Sequence, residues 1–211
     1  YRERYGDIQR LDRILEAEGD TPNRYKASKQ ADVLMLFYLF SAEELTGLFR
    51  RLGYPLGREA IPRNIDYYSR RTSHGSTLSR VVHSWVMARL HRERSWRLFT
   101  EALESDVADV QGGTTPEGIH LGAMAGTVDL IQRCYTGIEA RGDVLWLNPA
   151  LPQGLDALRL RMRYRGWPLE LHISHDRLTI TATDSGPQPL QIGVRADIHA
   201  VKGHQVREFF I

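Results

Sequence analysis

The chain has 211 residues, 42% of them hydrophobic and 26% charged, with a formal charge of +2. That is the balance of a globular protein with a real core, long enough for one large domain or a medium one plus a small one. So small a charge argues against nucleic acid as a partner. The one cysteine, Cys134, excludes an internal disulfide and fits a reducing, cytoplasmic setting. The longest apolar run, residues 33–40, is too short to cross a bilayer. The opening Tyr-Arg-Glu-Arg-Tyr-Gly-Asp is no signal peptide and lacks Met, so the expectation is a chain that starts inside something larger.

Up to about residue 137 the apolar period is helical, and about seven helices are expected. Ile8, Leu11, Ile14 and Leu15 form one stripe. Residues 28–40 are apolar nearly all round and predict a fully buried helix. Ser41-Ala-Glu-Glu is a capping box that opens a helix running to Leu52, with Gly53 and Pro55 as its stop. A helix over 58–69 places Pro62 in its first turn. Leu78, Val81, Val82, Trp85 and Val86 share a face, as do Trp96, Phe99, Leu103 and Val107. A glycine-rich loop at 111–118 precedes a helix over 119–135, which carries Cys134 as a small core residue.

From about Asp143 the period changes to two. Leu158, Leu160, Met162 and Tyr164 alternate with four arginines. After the turn Arg-Gly-Trp-Pro come Leu169, Leu171 and Ile173, then Leu178, Ile180 and Ala182, then Leu190, Ile192, Val194 and Ala196. These predict half-buried antiparallel strands. The arginine face reads as a solvated outer face paired with Glu170. The fold class is mainly α with a C-terminal β domain, divided as 1–140 and 141–211.

No metal-spaced Cys/His cluster, P-loop or G-x-S-x-G is present. Three places can carry chemistry. In Thr-Ser-His-Gly-Ser-Thr-Leu-Ser at 72–79, a small polar loop enters a helix whose first N–H groups and hydroxyls, at Ser76 and Thr77, suit an anion; His74 and Arg71 are candidates for added charge. Ser76 as a plain N-cap explains the same pattern. Glu117-Gly118-Ile119-His120 offers a phosphate or sugar ligand in His120, or a structural histidine at a helix start. Lys29-Gln30, at the mouth of the apolar helix, suits a polyhydroxylated ligand, or a lysine snorkelling to water. All three are expected at helix N-termini, where neighbouring antiparallel helices open them around one pocket.

Lys-Gln-Ala-Asp-Val at 29–33, Arg-Thr-Ser-His-Gly-Ser-Thr-Leu-Ser at 71–79 and Thr-Pro-Glu-Gly-Ile-His-Leu-Gly-Ala-Met-Ala-Gly-Thr at 115–127 resemble glycoside hydrolase family 65. That family includes inverting phosphorylases of trehalose, maltose, kojibiose and related α-glucosides. The resemblance covers essentially the whole chain. It implies the later half of an (α/α)6 barrel followed by a small antiparallel β-sheet domain. It implies Lys29 and Gln30 as ligands of the glucosyl unit, and Ser76, Thr77 and His120 as ligands of phosphate. Inorganic phosphate is then a co-substrate beside an α-linked disaccharide, and no metal or organic cofactor is implied.

An inverting enzyme needs a carboxylic acid to protonate the leaving oxygen. The family's acid lies well upstream of the Lys-Gln pair. Glu3, Glu16 and Glu18 lie in an amphipathic stretch without its motif, so no catalytic residue is expected in this chain. The rest of the enzyme is the expected partner, and exposed barrel faces leave room for a second copy. Two other readings remain open: a hydrolase of the same family with Glu117 as the water-activating acid, and a carbohydrate-binding module using Trp146 and Trp167.

Overall fold

A computed structural model describes residues 1–211 except Asp7 and Gln111, so the first residue of the expected loop at 111–118 lies outside the described residues. The chain divides into two compact units, Tyr1–Thr127 and Val128–Ile211. The first is helical. Its elements are α1 (Arg2–Tyr5), α2 (Leu11–Ala17), α3 (Met35–Leu39), α4 (Ala42–Arg51), α5 (Ala60–Ser69), α6 (Thr77–Met87), α7 (Arg92–Leu103) and α8 (Leu121–Asp129), the last running across the division. Among the described residues no helix is long and apolar enough to cross a membrane.

Local signals set several of these boundaries. Ser41 Oγ accepts from Glu44 N at 3.2 Å, and Glu44 Oε2 accepts from Ser41 N at 2.8 Å, which closes the capping box of α4. Gly53 follows in the left-handed region, at φ +82°. Pro62 stands in the first turn of α5, where its missing N–H costs no helical bond. On α2, Leu11 and Leu15 join Ile8 in a small core with Tyr1, Tyr5, Tyr25 and Ala27.

Two expectations change. The segment 28–40 is not one buried helix. The backbones of Ser28 and Lys29 are bonded to residues 71–75, so helix begins only at Met35, and Leu36, Leu39 and Phe40 are exposed. On α7, the buried stripe is Ser95, Phe99 and Ala102. Leu103 and Val107 face water. Small residues win there because α7 lies close against α6: Ser84 Oγ on α6 donates to Ser95 O at 2.8 Å.

Helix α6 is the centre of the unit. Nine of its 11 residues are buried, including the polar Ser79, Arg80, His83 and Ser84. Its Val82, Val86 and Met87 form the main core with Ala31, Leu34 and Ile65. Gly126 on α8 stands against the Val81 side chain, where a Cβ would come within 2.6 Å of Cγ1. The close approach of the two helices therefore depends on glycine.

The second unit opens with a π-helical turn, Leu130–Tyr135, in which Cys134 is half-buried. Eight strands follow: β1 (Glu139–Arg141), β2 (Val144–Leu147), β3 (Ala157–Tyr164), β4 (Trp167–Ser174), β5 (Arg177–Ala182), β6 (Leu190–Val194), β7 (Asp197–Val201) and β8 (Val206–Phe210). They make two four-stranded sheets, ordered β1-β2-β6-β7 and β3-β4-β5-β8. All pairings are antiparallel except β2 with β6, which is parallel. Arg165 and Gly166, both at positive φ, make the two-residue turn between β3 and β4. That register sets Glu170 opposite Arg161, with Arg161 Nε 2.6 Å from Glu170 Oε1, so the arginine face is a paired outer face. Ala196 does not continue the apolar face of β6; it sits exposed in the turn to β7, after Arg195 at φ +58°.

Candidate functional site

The site is assembled where residues 28–29 run beside the loop at 72–79. Ser28 N donates to Arg71 O and Ser73 N to Ser28 O, both at 2.8 Å, and Gly75 N donates to Lys29 O at 2.7 Å. Arg10 N donates to Ser73 O at 2.9 Å, which ties the start of α2 to the same loop. A Cβ on Gly75 would stand 2.8 Å from Lys29 Cγ, so glycine is what lets the lysine stem lie on the loop. The structure therefore joins two of the three motifs through main-chain bonds. It corrects their setting: Lys29 and Gln30 lie in a bend before α3, not inside a helix, and both are exposed.

Lys29 is held by a residue that the sequence reading missed. Its Nζ lies 3.7 Å from Asp12 Oδ2, and Arg10 Nε lies 3.6 Å from Asp12 Oδ1. Asp12 is 6% exposed, on the first turn of α2 between Leu11 and Leu15. A carboxylate on the apolar face of a helix was the available signal. Its place in the first turn also suits the helix dipole.

Ser76 takes the N-cap position of α6 with extended backbone, but its side chain makes no cap bond. Thr77, the first helical residue, is largely buried. Ser79 N turns back to Ser76 O at 3.1 Å. Among the described residues, the Ser76 hydroxyl and the N–H groups of Thr77 and Leu78 find no partner. Those are the donors that an anion at a helix start requires.

His74 and Arg71 do not supply charge there. His74 stands in the left-handed region at φ +47°, with Nδ1 3.0 Å from Ser79 Oγ and its ring edge-on to His83 at 4.6 Å. Burial, helped by His83 and by the Arg80 and Arg94 charges, lowers its pKa to about 3, so it is neutral near pH 7. Burial likewise lowers His83 to about 4, and its Nδ1 bonds Ser79 O at 2.8 Å. Arg71 turns away, stacking over the Tyr67 ring at 3.7 Å and donating to Tyr67 O. The buried cation behind the loop is Arg80, 2% exposed, paired with Glu101 at 3.1 Å and bonded to Gln9 at 3.2 Å.

His120, just before α8, is clamped by Asp106 in the segment after α7. Asp106 Oδ1 lies 2.5 Å from His120 Nδ1, and Oδ2 accepts His120 N at 3.0 Å. These bonds hold the Asp106 carboxyl below its usual range, the imidazole contact being the largest cause. Asp106 is a second residue absent from the sequence reading; 14 positions separate it from its partner. The glycine-rich loop is built on a third, Asp109, whose carboxylate accepts from the N–H groups of Gly113, Thr114 and Thr115. Those donors are therefore satisfied internally. Glu117 is exposed on the turn Thr115–Glu117; its N–H donates to Thr114 O at 3.0 Å, and its carboxylate makes no hydrogen bond or ion pair among the described residues.

In the second unit, Trp167 is 5% exposed, with its indole N–H donated to Gln188 O at 2.7 Å. Trp146 covers Gly193. These two aromatics pack the β unit, which removes the observation that favoured a binding module. Among the described residues, no three His, Cys, Asp or Glu are grouped to hold a metal.

The first unit thus carries a hydroxyl-rich helix start beside an exposed lysine, and a two-sheet β unit follows it in the chain. Residues 1–129 match the glycosyl hydrolase family 65 central catalytic domain, and residues 138–201 match the family 65 C-terminal domain. The chain belongs to glycosyl hydrolase family 65, a family of enzymes. It is 54% identical over 207 residues to an uncharacterized glycosyl hydrolase of Mycobacterium tuberculosis, covering 98% of this chain and 16% of that protein. It is 39% identical over 184 residues to the trehalose 6-phosphate phosphorylase of Lactococcus lactis, covering 87% of this chain and 24% of that one. In fold it is similar to a putative kojibiose phosphorylase from the human microbiome, with TM-score 0.68, 22% identity, and coverage of 88% of this chain and 22% of that chain. The chain thus spans less than a quarter of the length of each.

Proposed function

We propose that this chain is part of an inverting α-glucoside phosphorylase, contributing the later part of an (α/α)6 barrel and the C-terminal domain. In this reading Lys29 and Gln30 bind the glucosyl unit, and Ser76, Thr77 and His120 bind phosphate. The observation that carries it is the main-chain junction of Lys29 with Gly75, which sets Lys29 beside a helix start with open donors. Phosphate is already an anion and needs a cradle of donors and positive charge, whereas water needs a base. A phosphate oxygen attacks the anomeric carbon while an acid protonates the departing glycosidic oxygen on the other face. The products are β-glucose 1-phosphate and the free acceptor sugar.

The acid belongs to the region that precedes this chain in the whole protein, so the isolated chain gives no turnover. The similarity to a trehalose 6-phosphate phosphorylase supports a test panel that includes trehalose 6-phosphate beside trehalose, maltose and kojibiose. The test is product formation by the full-length protein with and without inorganic phosphate. β-Glucose 1-phosphate formed only with phosphate supports the reading. Free sugar released without phosphate identifies a hydrolase and rejects it, and turnover by the isolated chain removes the assignment of the acid to the preceding region.

A further inference from the structure

We infer that Asp106 is a positioning residue for phosphate, acting through His120; this rests on the phosphorylase reading above. An ionised carboxylate only accepts hydrogen bonds, so the 2.5 Å contact fixes the proton of His120 on Nδ1. The second oxygen holds the backbone N–H of the same residue at 3.0 Å. Two bonds to one residue fix both the ring and the main chain from which it projects. Nε2 is then the ring atom left for a ligand, and it has no partner among the described residues.

The His120 side chain is 23% exposed and that of Asp106 12%, so a ligand reaches the imidazole while the carboxylate stays behind it. With the proton held on Nδ1, Nε2 accepts the O–H of a hydrogenphosphate ion set in front of it, and Asp106 fixes the tautomer that leaves this acceptor free. A carboxylate that merely anchored the start of α8 would need only the backbone bond. The imidazole contact is the part that a structural role leaves unexplained.

The test uses the full-length protein and steady-state kinetics with phosphate as the varied substrate, on wild type, Asp106→Ala, Asp106→Asn, His120→Ala and the double Ala variant. Phosphate-dependent turnover by the wild type comes first; if it is absent, the phosphorylase reading fails before Asp106 is judged. Asp106→Ala is expected to raise the phosphate KM about tenfold, with the disaccharide KM within about twofold of wild type. Asp106→Asn, which keeps one acceptor oxygen, is expected to fall between the two and guards against a folding defect in the Ala variant. In the His120→Ala background, Asp106→Ala is expected to add nothing further, because its effect passes through the ring. A phosphate KM within twofold of wild type in Asp106→Ala overturns the inference. So does an equal rise in KM in the His120→Ala background.

Discussion

Gly75→Ala tests whether Lys29 is seated by the loop at 72–79. The added methyl group would stand 2.8 Å from Lys29 Cγ, 3.2 Å from Cε and 3.3 Å from the Lys29 carbonyl oxygen. The backbone has little room to yield, because Gly75 N, Ser73 N and Ser28 N are all bonded across this junction. The lysine stem must therefore leave its rotamer, which costs about 0.5–1.5 kcal/mol. Alanine also restricts the unfolded chain, which stabilises by about 0.4–1 kcal/mol where the backbone is compatible. The two effects nearly cancel in wild type, so the single variant decides little by itself. In a Lys29→Ala background Cγ and Cε are gone and only the 3.3 Å approach to the carbonyl oxygen remains, so Gly75→Ala loses most of its unfavourable part. A urea-denaturation double-mutant cycle is expected to show about 1 kcal/mol of coupling, with the effect of Gly75→Ala turning favourable in the lysine-free background. In the full-length protein the same substitution is expected to lower kcat/KM for the disaccharide about tenfold, through displaced Lys29. Additivity within about 0.3 kcal/mol would refute the steric reasoning.

Two more outcomes follow from buried and looped polar groups. His74 and His83 are lowered from 6.5 to about 3 and about 4, so the unfolded chain takes up protons that the folded chain refuses between pH 6.5 and about 4. Their stabilising contribution is complete above pH 6.5 and falls with acid across that window, by up to about 1.4 kcal/mol per pH unit for each histidine. The variant His74→Asn/His83→Asn should flatten the urea-midpoint profile there, and an unchanged slope contradicts the assignment. Asp109→Ala should speed amide hydrogen exchange at Gly113, Thr114 and Thr115, whose N–H groups lose their acceptor, by about tenfold or more. Asp109→Asn, which tolerates the φ of +45° and keeps one oxygen, should change it less, and equal exchange in Asp109→Ala and wild type would show that the carboxylate does not order the loop.

The motifs at 29–33, 71–79 and 115–127 were legible in the sequence, and so were the strands with strict alternation. The capping box at Ser41 was legible because both partners lie three residues apart and compete with nothing distant. β8 was not, because it is an exposed strand with Arg207 and Glu208 facing water, and alternation carries no signal where neither face is buried. The helix expected over 28–40 failed for a different reason. Its first residues have the composition of a helix, but their backbone groups pair with residues 71–75, some 45 positions away. Tertiary hydrogen bonds outweigh a propensity worth tenths of a kcal/mol per residue. On α7, the sequence offered Leu103 as core, whereas the approach of α6 buried Ser95 and Ala102 instead.

By itself the sequence determined the change from helical to strand period, the polar loop entering α6, and the residues Lys29, Gln30, Ser76, Thr77 and His120 as candidates. Only the tertiary structure decided what holds them. Asp12 reaches Lys29 across 17 positions, Asp106 reaches His120 across 14, and Gly75 meets Lys29 across 46. A local pattern reports neighbours within about one helical turn. A carboxylate that orients a distant side chain leaves no periodic trace, so these supports appear only when the chain has folded back on itself.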